Sequence, residues 1–156
     1  MNTPWGPSQD INRVAEGITF VSTAGHGGLR LEKELIALLP PLALRTTFNR
    51  QGFAGWFEED VDWAWVVLCL PWLFPEAQQE PARRTLECFH PDELKALRIN
   101  SWFEPAEDTD GHWMILINGF QWGTGENPPD RSGAYPDTWP TQREAVQAYH
   151  RHNTTS

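Results

Sequence analysis

Apolar and polar positions alternate through Ile18-Thr19-Phe20-Val21-Ser22, and this β-branched stretch predicts a strand. The glycine-rich segment 25–28 is expected to turn the chain, with Leu29-Arg30-Leu31 returning as a second strand. Leu35, Leu38 and Leu39 then recur at helical spacing, which predicts a short helix over 32–39 stopped by Pro40-Pro41. From Phe57 to Leu70 a longer helix is expected. Acids crowd its first turn, where the helix dipole favours negative charge, and nearly every position from Trp63 to Leu70 is apolar. Val66–Leu70 would equally suit a buried strand, because periodicity alone does not separate the two.

Pro81 suits the first turn of a helix reaching Phe89, with Ala82, Leu86 and Phe89 on its inner face, and Pro91 opens another over 92–98. Beyond these the pattern becomes strand-like. Residues 101–104 and 112–118 read as paired strands around an acidic loop, and Asn118-Gly119 is a hairpin turn into Phe120-Gln121-Trp122. After a Gly/Pro-rich stretch, Thr141-Gln142-Arg143-Glu144 is a capping box that starts a final helix packed through Ala145, Val146, Ala148 and Tyr149. The expected fold is α+β: a helical middle packed on short antiparallel strands, in a single compact domain. Residues 1–98 form its first region, and 99–156 a C-terminal β-hairpin and helix.

Composition narrows the class. The 156 residues include 9 Trp and 8 Phe, enough for a folded core without disulfides. The longest apolar run, Trp63 to Phe74, is too short for a membrane span and is broken by Pro71. No leader-like segment opens the chain, and two cysteines, Cys69 and Cys88, suit a reducing cytoplasm. Net charge is −9, and two segments carry more than that imbalance between them. Residues 56–80 hold six acids and no base, while residues 101–139 hold seven acids against Arg131 alone. This field disfavours nucleic acid as a direct ligand and favours a cation or a partner with a basic surface. Acidic loops that only keep a protein dissolved would produce the same charge.

Two segments carry candidate chemistry. His26 lies among Gly25, Gly27 and Gly28, where the main chain is bared to approach. It is a general base, a metal ligand, or the corner of a tight turn whose histidine caps a neighbouring carbonyl. The glycines lack the Lys and Ser/Thr of a phosphate loop, and no metal-binding spacing occurs, so neither metal nor cofactor is expected. Glu58, Glu59, Asp60 and Asp62 follow Trp56; placed on a helix, Glu58 and Asp62 share a face. Four carboxylates this close repel one another unless cations or dipoles compensate. They suit a solvated helix start, a patch awaiting Arg/Lys from a partner, a Mg²⁺/Ca²⁺ site, or, with His26, a catalytic acid/base group.

Three segments together, Thr3-Pro4-Trp5-Gly6, Ser22 to Gly28, and Glu58-Glu59-Asp60-Val61-Asp62-Trp63-Ala64, resemble an uncharacterised bacterial family found on plasmids, integrative elements and phages. The resemblance spans residues 3–98. Gly25 and Val61 stand where that family often has Ser and Cys, which weakens any role needing a hydroxyl or thiol there. The family's setting implies accessory work for a mobile element, and small acidic proteins in that setting often disarm restriction or CRISPR machinery. The expected function is therefore binding to a protein with a basic surface, such as a host nuclease complex. Glu58, Glu59, Asp60, Asp62, Glu107, Asp108 and Asp110 would supply charge, with Trp56 and Trp122 as anchors. The alternative is a small hydrolase or transferase with His26 as base, oriented by Glu59 or Asp60, and with Gly27 and Gly28 amides facing developing charge.

Overall fold

Asn2–Thr3 (β1) pairs with Gly6–Pro7 (β2) in a small hairpin that presents Trp5. The Thr3 hydroxyl closes it, donating to Gly6 O at 2.8 Å and accepting from Trp5 N at 3.1 Å. The computed structural model describes residues 1–48, 52–98, 102–127, 129, 131, 133 and 135–154. The expected strand start at Ser101 and loop start at Asn49 lie outside them.

A four-stranded antiparallel sheet follows, in the order Asp10–Ala15 (β3), Ile18–Ser22 (β4), Gly27–Leu31 (β5), Trp56–Glu58 (β6). β4 is the strand the alternation predicts. β5 starts two residues earlier than expected, so Gly27 and Gly28 are strand residues and the turn covers only 23–26. β3 escaped notice because all its residues except Ala15 are exposed, leaving no apolar alternation to read.

The helix expected over 32–39 is shorter, Lys33–Ile36 (α1), and Pro41 starts a second helix, Pro41–Thr46 (α2). A proline that ends one helix fits the first turn of the next, where no N–H partner is lost. The helix expected over 57–70 is corrected more heavily. Its first residues are β6, a turn follows, and helix α3 spans only Trp63–Cys69. Acids before an apolar run imitate a helix start; here pairing with β5, distant in sequence, takes the backbone of 56–58 into the sheet.

Two short 3-10 turns, Pro71–Leu73 and Glu76–Gln78, lead to Gln79–Phe89 (α4) and Pro91–Ala96 (α5). Ala82 and Leu86 are buried as expected, but Phe89 is 63 % exposed. The third sheet is Phe103–Glu107 (β7), Trp113–Ile117 (β8) and Phe120–Gln121 (β9). Asn118 (φ 51°) and Gly119 (φ 81°) make its second turn with both residues left-handed, as a two-residue hairpin requires. The last helix, Gln142–His152 (α6), opens on the expected cap: Thr141 Oγ1 accepts from Glu144 N at 3.2 Å and donates to Glu144 Oε2 at 2.8 Å.

One core runs through the molecule, from Ile18 and Phe57 of the four-stranded sheet through Trp65 and Leu86 to Phe103, Ile115 and Val146. α3 lies at its centre, with every residue but Trp63 buried. The architecture is α+β, with helices packed between separate antiparallel sheets. His150, in the last turn of α6, is buried, its Nε2 3.0 Å from Cys69 O.

Candidate functional site

Three segments distant in sequence meet at β5. Trp5, held by the β1–β2 hairpin, lies against Gly28, where a Cβ would stand 2.5 Å from its Cη2. Gly28 is paired with Glu58, and Leu29 with Phe57. Trp5 is also edge-on to Trp56 at 5.7 Å and tilted against Phe48 at 5.6 Å, while the Arg30 guanidinium sits 5.8 Å from the Trp56 ring. The two glycines therefore serve close packing, with Gly27 leaving room for Glu59 Oε2 and the Phe20 ring.

At one end of this sheet the β4–β5 turn and the acidic run come together. Thr23 closes the turn: its N–H and its hydroxyl both donate to His26 O, at 2.7 and 2.9 Å, and its Oγ1 accepts from His26 N at 3.2 Å. His26 is exposed, and among the described residues its ring has no hydrogen bond or ion pair to a carboxylate. The ladder continues one residue past β6, where Glu59 N donates to Gly27 O at 3.1 Å. Beside it lies a cleft of about 380 Å³ with apolar walls from Phe20, Trp63 and Phe74. Glu59 and Gly28 line this cleft and His26 does not. A proton-transfer pair needs hydrogen-bond reach, and among the described residues His26 has no such partner.

The acidic run divides by what each carboxylate touches. Asp62 is 6 % exposed and accepts from Phe48 N at 2.7 Å and Glu58 N at 3.5 Å. Burial raises its proton affinity above the usual carboxylate value, against the lowering effect of those amides and of His90. Asp62 therefore ties the end of α2 to β6 and is not a surface contact. Glu58 caps the turn, accepting from Asp60 N at 2.6 Å and Val61 N at 3.2 Å. Burial also raises Glu58, opposed by those amides and reinforced by the Asp60 carboxylate. Glu59 and Asp60 are exposed and have no ion pair among the described residues.

The second acidic loop, on the β7–β8 hairpin, follows the same division. Asp108 Oδ1 accepts from Asp110 N at 2.8 Å and His112 N at 2.9 Å, and the His112 amide leads the effects that hold its carboxyl below the ordinary value. Glu107 and Asp110 are exposed. Trp122 stacks on Trp139 at 6.2 Å and meets Tyr149 edge-on at 5.0 Å, so it packs inward. Trp56 is half-buried between Trp5 and Arg30. Among the described residues no three His, Cys, Asp or Glu side chains are placed to hold a metal ion, and no helix is long and apolar enough to cross a membrane.

The model of a family described as a domain of unknown function, DUF7007, matches residues 1–120. The chain belongs to that family. The match takes in the four-stranded sheet, the helical middle and the β7–β8 hairpin, and stops before α6. No curated protein and no solved structure matches the chain. Every segment that meets at β5 lies inside the part shared with DUF7007. The packing of Trp5 on Gly28 could not be read from the sequence, although Trp5 and the paired glycines were each visible as single features.

Proposed function

We propose that this chain is a protein-binding accessory factor whose contact surface is the acidic end of the four-stranded sheet. Exposed Glu59 and Asp60 supply its charge, Trp56 flanks it, and Glu107 and Asp110 offer a second acidic contact on the other sheet. The carrying observation is that Glu59 and Asp60 are exposed, unneutralised among the described residues, and set beside Glu58, whose carboxyl is raised first by burial and further by the Asp60 carboxylate. A folded chain that keeps like charges together at its surface gains most from a cationic partner. In the mobile-element setting that the resemblance implies, the partner is a host defence complex, bound where it would hold nucleic acid, with carboxylates standing in for phosphates.

The test is affinity capture from a host lysate at low and high salt, using wild type and the Glu59→Lys/Asp60→Lys variant. Wild type is expected to retain a basic nuclease or nucleic-acid-binding complex at low salt and release it at high salt. The variant should lose it by about tenfold or more while keeping its melting temperature. Capture that ignores both salt and the charge reversal sinks the proposal.

A further inference from the structure

A second cleft, of about 480 Å³, opens where α6 meets the corner between α1 and α2. Leu38, Pro40 and Leu42 form its apolar wall; Arg45 comes from the last turn of α2, and His150 and Arg151 from α6. Its charge runs against that of the molecule. The chain has 21 acids to 12 bases, yet among the described residues two arginines and no carboxylate line this cleft. Both arginines are exposed, and neither has an ion pair among the described residues. Among the described residues no carboxylate answers these guanidiniums.

His150 adds an independent observation. It is 3 % exposed and lines the same cleft. Its Nε2 lies 3.0 Å from Cys69 O, and a carbonyl only accepts, so Nε2 carries the proton and Nδ1 presents a lone pair. That Nδ1 is buried without a hydrogen-bond partner among the described residues. A buried acceptor left unpaired is costly, and native structures rarely keep one without a use. Gln147 Nε2 donates to Ala37 O at 2.9 Å, which fixes α6 against the end of α1 and sets the width of the cleft.

We propose that this cleft binds a small carboxylate with an apolar body and an N–H or O–H donor beside the acid. The carboxylate would lie between Arg45 and Arg151, whose planar forks match its two oxygens. The apolar body would rest on Leu38, Pro40 and Leu42, and the donor would turn toward His150. An N-acylated amino acid is the simplest molecule with all three parts, and the cleft is within the size range of small-molecule sites, about 300–1,000 Å³. This site is separate from the acidic surface and does not depend on it.

The probe is N-acetyl-L-phenylalanine, titrated into the whole protein and followed by amide NMR shifts. Saturable shifts are expected around Arg45, Gln147 and His150. N-acetyl-L-phenylalanine amide, which lacks the charge, should bind at least about tenfold more weakly. The same loss is expected for the Arg45→Gln/Arg151→Gln variant, whose exposed substitutions leave the core untouched and whose remaining spectrum should be unchanged. Equal binding of the neutral amide overturns the proposal. So does full binding by the double variant, a set of shifts centred elsewhere, or no saturable shift at all.

Discussion

Gly28→Ala is expected to lose about 3 kcal/mol of stability, against about 0.5 kcal/mol or less for Gly25→Ala three residues earlier. An added Cβ at Gly28 would stand 2.5 Å from Phe57 O and 2.5 Å from the Trp5 ring. The ring could swing aside, but the carbonyl belongs to the β5–β6 ladder and moves only if the strands part. At Gly25 nothing lies within 4 Å of the same atom. Urea unfolding of the two variants checks this directly. Comparable losses at both positions would mean that the glycines serve the turn and not the contact with Trp5.

Stability should also fall by about 2 kcal/mol between pH 7 and pH 5, because of His150. Burial pushes its pKa down to about 4 from an ordinary 6.5, with the Cys69 carbonyl bond only partly offsetting this. Between those values the unfolded chain binds a proton that the folded chain refuses, so stability is lost as pH drops through the window. Glu58 and Asp62 act in the opposite direction. Their carboxyls are raised in the fold, so the fold takes their protons first and gains from acid. Their windows open upward from 4.5 and 3.8, which leaves the upper part of the His150 window to the histidine. The groups around the ring are Cys69 O, Phe103 and Tyr149, with Arg45 and Arg151 in the adjoining cleft. Chemical unfolding from pH 7 to pH 5 should show a marked slope in wild type and a much flatter one in His150→Gln. An equal slope in the variant would assign the effect elsewhere.

Elements with local signatures were legible from residues alone. The β-branched alternation of β4, the Asn118-Gly119 turn and the Thr141–Glu144 cap all lie within a few residues of the groups that enforce them. What escaped depends on distant partners. β3 is a strand because β4 pairs with it, though its own side chains face water. The start of the acidic run is a strand because β5 pairs with it; in isolation, acids before an apolar run imitate a helix start. His150 and Arg45 are brought together by the packing of α6 on the α1–α2 corner, across a separation no periodicity encodes. The candidate site shows the same limit. Its acidity was plain in the sequence, but Asp62 and Asp60 look equivalent there, and what separates a buried tie from a surface charge is chiefly the amide of Phe48, 14 residues away.

That separation is the central claim, and comparing partner capture by two variants tests it most directly. Asp62→Asn keeps an oxygen to accept from Phe48 N and changes nothing at the surface, so it should retain the partner as wild type does. Glu59→Lys/Asp60→Lys should lose the partner at low salt while remaining folded. The opposite pattern, loss with Asp62→Asn and retention with the double reversal, would contradict the division of the run into carboxylates that hold the fold and carboxylates that face a partner.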